Sequence, residues 1–358
     1  MKPYGLFLAA LLLSVSSRAP AQDSSYADTS RSERLSWFQD ARLGIFIHWG
    51  IYAVDGIDES WSFFNRYVSY EDYMEQLDGF TAEHYDPADW ARLIKASGAR
   101  YAVLTSKHHD GVALWATEES DLSVVEKTPA RRDLIAPFVQ AMRDADLKVG
   151  LYFSHIDWSH RDYNVFRRDE YRYTDDPERW ARYLDFHRDQ IKELATLFEP
   201  DMFWFDGDWE HNAEEWKAAA LRDSMLAWNP QVILNSRLSG YGDYLTPEQG
   251  LPITRPKGVW ELCMTMNDSW GYQGHDRNYK TAYQIIRIFA DVLGMGGNLL
   301  LDIGPKADGT IPDEQLGILE SLGRWTRKHE EAIYGTTTGL PPGHFYGPTT
   351  LSKDRETL

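Results

Sequence analysis

The segment from Pro200 to Glu210 places carboxylates beside indole rings where an apolar stretch ends. Asp206 and Asp208 come at the end of that stretch, and Trp204 and Trp209 flank them. Cleavage of a glycosidic bond needs an ionised carboxylate beneath the anomeric carbon, and aromatic rings pack against the apolar face of a pyranose. The alternative is an ordinary strand end that is followed by turn-forming Asp and Gly. The segment by itself leaves both interpretations open.

Polar side chains also follow most of the other apolar stretches. In chain order they are His48, the run Lys107-His108-His109-Asp110, His155 with Asp157, and Arg237, while Glu261 lies within a later stretch. In a barrel of parallel strands the carboxyl ends meet at one rim, where active sites are built. We therefore expect these side chains to converge on one site.

The elements that must position these residues alternate along the chain, as is typical of an α/β protein with parallel strands. Strands are predicted at Leu43–Trp49, Tyr101–Ser106, Lys148–Ser154, Met202–Phe205, Val232–Asn235, Val259–Met264 and Asn298–Ile303. Helices are predicted between them at Pro87–Ser97, Leu134–Ala145, Pro177–Leu197 and Tyr283–Leu293. The order predicts a (β/α)8-like TIM barrel, with one catalytic domain over residues 22–340. Residues 341–358 would begin a truncated C-terminal segment.

The beginning of the chain is typical of an export signal. Lys2 precedes an apolar run from Leu6 to Leu13, and small residues lead to Ala21. We expect cleavage after about Ala21, which makes residues 1–21 a signal peptide and the protein secreted or periplasmic. No later run offers the ~20 apolar residues of a membrane span. The oligomeric state is not determined by the sequence.

Charge and cysteine content exclude some classes of function. The net charge is −18, and loss of Lys2 and Arg18 with the leader would make it −20, so nucleic acid is not an expected partner. Cys263 is the only cysteine, so no internal disulfide can form. The histidines lack the His-x-His and His-Glu-x-x-His spacings of common zinc sites, and we expect no metal and no other cofactor.

Several blocks of the sequence together resemble the α-L-fucosidases of family 29 of the glycoside hydrolases. The matching blocks are Trp37–Gly50, Lys107–Gly111, Gly150–Ser154, Trp204–Gly207, Trp260–Glu261, Ser269–Tyr272 and Gly297–Leu301. The resemblance implies a retaining exo-α-L-fucosidase that hydrolyses terminal α-linked fucose of oligosaccharides or glycoconjugates through a covalent fucosyl-enzyme. Such enzymes usually carry a C-terminal β-sandwich, which we expect to be absent or truncated here. A catalytically weak fucose-binding protein on the same scaffold is the alternative.

The resemblance also implies the two catalytic carboxylates. Asp206 matches the nucleophile of the family. For the general acid/base we favour Glu248, which lies on the loop beyond Arg237 and directly after the stiff Pro247. Glu261 is the alternative acid/base. A purely structural role for Glu248 also stays open, because Thr246-Pro247-Glu248 is an ordinary helix start.

The remaining roles implied by the resemblance concern sugar binding. His48, His108 and His109 would bond fucose hydroxyls, and Arg237 would lie near the nucleophile or bind a hydroxyl. The other predicted contacts are aromatic: Trp61, Tyr152 (in preference to Phe153), and Trp204 and Trp270 as the wall that meets the C5 methyl group. Glu59 has no assigned role, since Ser60 separates it from Trp61 whereas family members often have Glu and Trp adjacent.

Overall fold

A curled sheet of seven parallel strands forms the centre of the computed structural model, which describes residues 27–341 and 343–358. The strands are β1 (Leu43–Ile47), β2 (Tyr101–Lys107), β3 (Lys148–Ser154), β4 (Met202–Asp206), β5 (Ile233–Leu234), β6 (Glu261–Thr265) and β7 (Asn298–Ile303). Their order across the sheet is β5-β4-β3-β2-β1-β7-β6, and every neighbouring pair is parallel. The predicted leader, residues 1–21, lies outside the described residues.

The strands are buried on both faces, as expected for a parallel sheet that is covered by helices. Alternate side chains point to opposite faces. In β1, Phe46 packs with Tyr152 and Trp204 on the inner face, whereas Ile45 and Ile47 belong to the larger core beneath the helices. The inner face therefore carries the large aromatic residues on which the site is built.

Seven longer helices accompany the sheet: α1 (Ala27–Ala41), α2 (Pro87–Ala96), α3 (Ile135–Asp144), α4 (Pro177–Leu197), α5 (Ala218–Trp228), α6 (Ala282–Gly294) and α7 (Asp313–Lys328). Short helical turns occur at Ile51–Ala53, Trp61–Phe64, Tyr70–Glu75, Gln76–Gly79, Val124–Lys127, Asp208–Glu210 and Glu330–Ile333. Helices α2 and α4 each begin with an Asp–Pro pair, in which the Asp carboxylate caps the first turn and Pro occupies it. Local sequence thus explains where these two helices start.

An irregular segment, Tyr244–Glu248, lies between β5 and β6. Asp243 N donates to Leu234 O (2.6 Å), and on the other side Glu261 N and Cys263 N donate to Leu245 O (2.9 Å) and Pro247 O (3.1 Å). Parallel bridges join the segment to both neighbours. The arrangement is consistent with a (β/α)8-like catalytic domain, and it places Glu248 near the rim where the strands end.

The predicted strands are all present, with ends that differ by at most two residues. The prediction extended β1 to Trp49, but Trp49 N donates to the Thr105 hydroxyl (2.9 Å) and the strand ends at Ile47. The predicted helices are confirmed, while α1, α5 and α7 were not predicted. Thr337–Thr338 pairs antiparallel with Thr350–Leu351, so the chain beyond residue 341 folds back on the domain. Within the described part, no helix has the length and apolar character needed to cross a bilayer.

Candidate active site

A cavity of about 310 Å³ opens at the carboxyl ends of the strands. It is lined by Phe46, His48, Glu59, Trp61, His108, Tyr152, Trp204, Asp206, Trp209, Arg237, Glu248 and Trp270. Every catalytic or sugar-binding residue that the resemblance implied is among them except His109 and the alternative Glu261. Of the other polar residues at strand ends, Lys107, Asp110, His155 and Asp157 do not line the cavity, so the expected convergence is partial.

Asp206 is the last residue of β4, and its carboxylate is held by two donors. Arg237 Nη1 donates to Oδ1 (2.6 Å), and the Tyr152 hydroxyl donates to Oδ2 (3.0 Å). The side chain is mostly buried yet reaches the cavity. These two donors fix the direction of the carboxylate.

Arg237 links the two predicted catalytic carboxylates. Its Nη1 donates to Asp206 and its Nη2 to Glu248, while the guanidinium lies over the Trp204 ring at 4.6 Å from the centroid. Burial alone would lower the pKa of Arg237, but the Asp206 carboxylate raises that pKa above its usual value. Arg237 therefore stays cationic, and it brings Glu248, whose side chain is 39% exposed, to the mouth of the cavity.

The three predicted sugar-binding histidines form one buried group. The Nδ1 atom of each ring forms a hydrogen bond with another side chain. The partners are Asp302 for His48 (2.8 Å), Ser60 for His108, and Ser154 for His109 (2.6 Å). Burial lowers the pKa of all three rings, that of His109 to about 3. Neutral imidazoles result, and these can accept as well as donate hydrogen bonds.

His109 lies behind the cavity wall, not on it. Its Nε2 is 3.8 Å from Asp206 Oδ2 and has no hydrogen-bond partner among the described residues. The ring is enclosed by Trp61 and Trp158, with ring centroids at 5.4 and 5.0 Å. The sequence predicted that His109 binds the sugar; the structure places it beside the nucleophile, and it does not line the cavity.

Aromatic rings form the remaining wall. Trp270 packs on His48 at 4.9 Å, and Trp61 stacks with Trp209 at 6.2 Å. Sequence reasoning did not assign Phe46 or Trp209 to the site, although both line it. Phe46 could have been found because it lies two residues before His48, on the same face of the strand. Trp209 could have been found because it belongs to the segment Pro200–Glu210, which suggested carbohydrate chemistry.

The two other glutamates of interest occupy different positions. Glu261 does not line the cavity: it is fully buried inside the sheet, where it accepts hydrogen bonds from Tyr101 Oη (2.6 Å) and Trp204 Nε1 (3.0 Å). Glu59 lines the cavity and accepts from the backbone N–H of Gly271. Burial raises the pKa of each carboxyl to about 7.

The donor set of the site is that of an organic substrate pocket. Among residues 27–341 and 343–358, no group of three or more His, Cys, Asp and Glu side chains is placed to hold a metal ion. A cationic Arg, two carboxylates, neutral imidazoles and indoles instead provide hydrogen-bonding groups and apolar faces, which suits a polyhydroxylated ring.

Comparisons with known proteins agree with the geometry. The profile of the Alpha-L-fucosidase family matches residues 12–331. An α-L-fucosidase from Branchiostoma floridae is 32% identical over 339 residues, which cover 84% of this chain and 72% of that protein. Among solved structures, α-L-fucosidase isoenzyme 1 from Paenibacillus thiaminolyticus superposes with a TM-score of 0.85 at 36% identity, covering 90% of this chain and 82% of that one.

A further structural neighbour is a trapped covalent intermediate. It is an α-L-fucosidase of family 29 from Bacteroides thetaiotaomicron in complex with 2-fluoro-fucosyl fluoride, with a TM-score of 0.81 and 29% identity. The match covers 90% of this chain and 81% of that chain.

Proposed function

The chain belongs to the α-L-fucosidase family, family 29 of the glycoside hydrolases, and from this membership we propose that Asp206 and Glu248 are its catalytic pair. The protein is a retaining α-L-fucosidase that releases terminal α-linked L-fucose through a covalent fucosyl-enzyme. The cavity at the strand ends is proposed as the fucose site. Its lining of imidazoles, indoles and one guanidinium supports that assignment.

In the first step Asp206 attacks the anomeric carbon as a nucleophile while Glu248 protonates the departing glycosidic oxygen. The bond from the anomeric carbon to that oxygen breaks, and a bond to the Asp206 carboxylate forms. Asp206 is suited to attack because Arg237 and Tyr152 hold its carboxylate in place. Glu248 is suited to protonation because it lies at the mouth, where a leaving group exits.

In the second step Glu248, now a carboxylate, takes a proton from water, and that water attacks the anomeric carbon. The ester bond to Asp206 breaks, and fucose leaves with its original anomeric configuration. Positive charge develops on the sugar ring in both transition states, and the two carboxylates stabilise it.

The observation that carries this proposal is the double contact of Arg237. One guanidinium donates to both carboxylates, so Asp206 and Glu248 lie on the same side of one cavity around a shared cation. The arrangement supports Glu248 over Glu261, which is enclosed away from the cavity.

The test is turnover of 4-nitrophenyl α-L-fucoside by Asp206→Ala. We expect the rate to fall roughly 10³-fold or more, because the covalent route is lost. Azide should restore part of the rate and yield the fucosyl azide of inverted configuration, since azide then attacks the substrate directly. Asp208→Ala is the matched control: its carboxylate accepts from Ser239 N (2.7 Å) in the adjacent turn. Full activity of Asp206→Ala would refute the assignment.

Two further proposals concern the rest of the chain. We propose that Tyr244–Glu248 takes the place of the eighth strand of a (β/α)8 barrel, which the bridges to Asn235, Trp260 and Cys263 support. We also propose export through residues 1–21, supported by their sequence pattern. Determination of the N-terminal residue of the secreted protein tests the second proposal, and a chain that still begins at Met1 would contradict it.

A further inference from the structure

The hydroxyl of Ser154, the last residue of β3, contacts His109, and His109 lies beside the nucleophile. Its Oγ lies 2.7 Å from the backbone oxygen of Ile156 and 2.6 Å from Nδ1 of His109, and the side chain is fully buried. A hydroxyl has one proton, and a carbonyl oxygen can only accept. The proton of Ser154 is therefore donated to Ile156. The Oγ lone pair must then accept, so His109 Nδ1 carries a hydrogen.

The His109 ring has no second hydrogen to offer. Burial, with Arg237, His48 and Lys107 nearby, lowers its pKa to about 3, and the ring is neutral at neutral pH. A neutral imidazole carries a hydrogen on one nitrogen only. With that hydrogen on Nδ1, Nε2 presents a lone pair. The enclosing rings of Trp61 and Trp158 oppose rotation of the imidazole.

The lone pair of Nε2 faces the nucleophile. Nε2 is buried, lacks a hydrogen-bond partner within the described residues, and lies 3.8 Å from Asp206 Oδ2. Two acceptors thus face each other, with no proton between them. Among the described residues, the Asp206 carboxylate consequently receives hydrogen bonds only from Tyr152 and Arg237.

We propose that Ser154 is a positioning residue that fixes His109 in the Nδ1–H tautomer, so that Nε2 is an acceptor beside the nucleophile. This arrangement withholds a third donor from the attacking carboxylate, which keeps it nucleophilic. This consequence for activity rests on the proposed function, whereas the tautomer itself does not.

The tautomer is tested directly on the wild-type protein. Histidine nitrogens labelled with ¹⁵N give different chemical shifts when protonated and when unprotonated, and His109→Gln identifies the His109 signals by their loss. We expect an Nδ1–H tautomer in the ligand-free enzyme. An Nε2–H tautomer would overturn the proposal, whether or not the enzyme hydrolyses fucosides.

The role of Ser154 is tested by Ser154→Ala. Without the hydroxyl acceptor, the hydrogen can move to Nε2, where it points towards Asp206 Oδ2, 3.8 Å away, and a small shift of either side chain would form a hydrogen bond. We expect kcat/KM to fall roughly 5- to 100-fold, the effect of one misplaced hydrogen bond, with an accompanying Nε2–H signal. Ser97→Ala is the matched control, because Ser97 is also buried and donates to a carbonyl, that of Ile94 (2.7 Å), at the end of α2. Its kcat/KM should stay at the wild-type value.

The nitrogen shifts separate this role from general structural damage, because damage alone would not move the hydrogen of His109 from Nδ1 to Nε2. Wild-type activity of Ser154→Ala would overturn the proposal. If the wild type cleaves no fucoside, the proposed function fails while the nitrogen shifts still decide the tautomer.

Discussion

Glu248 and Glu261 illustrate how burial separates two glutamates that the sequence left as rivals. Glu248 contacts Arg237 at the mouth of the cavity, whereas Glu261 is enclosed between Tyr101 and Trp204. We expect Glu248→Gln to lose about 10²- to 10⁴-fold in kcat on natural fucosides, because general acid catalysis is lost. Glu261→Gln should keep most of its activity, since the amide can accept from Trp204 and donate to Tyr101.

Two measurements distinguish Glu248 from Glu261: the dependence of the rate on the leaving group, and the configuration of the product formed with azide. A fucoside with an activated phenol needs little protonation, so Glu248→Gln should retain far more activity on it than on an oligosaccharide. Azide should give Glu248→Gln the fucosyl azide of retained configuration, because it attacks the fucosyl-enzyme. If the two variants behaved in the opposite way, Glu261 would be the acid/base.

The buried carboxyl of Glu261 also makes stability depend on pH. Its pKa is about 7 in the folded protein against an ordinary value of 4.5. A raised pKa means that the folded state holds the proton more tightly, so the stabilisation is complete below pH 4.5 and is lost as pH rises through about 7. Relative to Glu261→Gln, the wild type should lose roughly 3 kcal/mol of unfolding free energy across that window.

Urea unfolding at several pH values checks this expectation. The difference between wild type and Glu261→Gln isolates Glu261, because the buried histidines and Glu59 are common to both proteins. Glu320→Gln, on the exposed surface of α7, controls for the loss of a carboxylate. A difference that does not change with pH would contradict the prediction.

At the scale of elements, the turn after β4 depends on Gly207. This residue has φ 84°, and a Cβ there would lie 2.8 Å from Ile156 Cγ1. Gly240 has nearly the same conformation, φ 89°, but open space around it. Both Gly→Ala variants should lose about 1 kcal/mol from the left-handed backbone. Only Gly207→Ala should also lose activity, since Ile156 or Asp206 must shift.

Thermal unfolding of the two glycine variants measures the backbone strain, and fucoside turnover measures displacement of the nucleophile. Equal activity in both would show that the turn accommodates the methyl group without moving the nucleophile.

The sequence predicted all seven strands of the central sheet, but it did not predict helices α1, α5 and α7. Strands were recognisable because parallel strands covered on both faces are continuous apolar runs. Helix α1 was missed because few of its residues are apolar; Leu35, Phe38 and Ala41 pack with Tyr101 at the amino end of the barrel interior. A helix that covers the end of a barrel needs only this short contact, which gives a weak periodic signal.

At the scale of the whole molecule, Asp243 forms hydrogen bonds with segments that are far apart in sequence. Its fully buried carboxylate accepts from Arg34 of α1 (2.9 and 3.0 Å) and from Arg222 of α5 (2.8 Å). Asp243→Asn leaves buried guanidinium groups without their counter-charge. We expect a loss of about 3–5 kcal/mol in unfolding free energy.

Urea denaturation measures this loss, and Asp40→Asn is the control. Asp40 pairs with Lys353 on the exposed surface (2.7 Å), where such a pair contributes at most about 1 kcal/mol. Similar losses in both variants would show that burial of the Asp243 network does not matter.

The sequence by itself determined the order of the strands, the polar residues at their ends and, through several matching blocks, the family. These properties are local, because apolar runs and turn residues act over a few positions. The tertiary structure decided which of the two glutamates lies with Asp206 at the cavity. Glu261 lies four residues before the end of β6, or about 13 Å along the strand at ~3.3 Å per residue, whereas Glu248 pairs with Cys263 and lines the cavity. The alternation of side chains along a strand shows that Glu261 faces inward. Only the curled sheet as a whole shows how far its carboxyl group lies from the cavity.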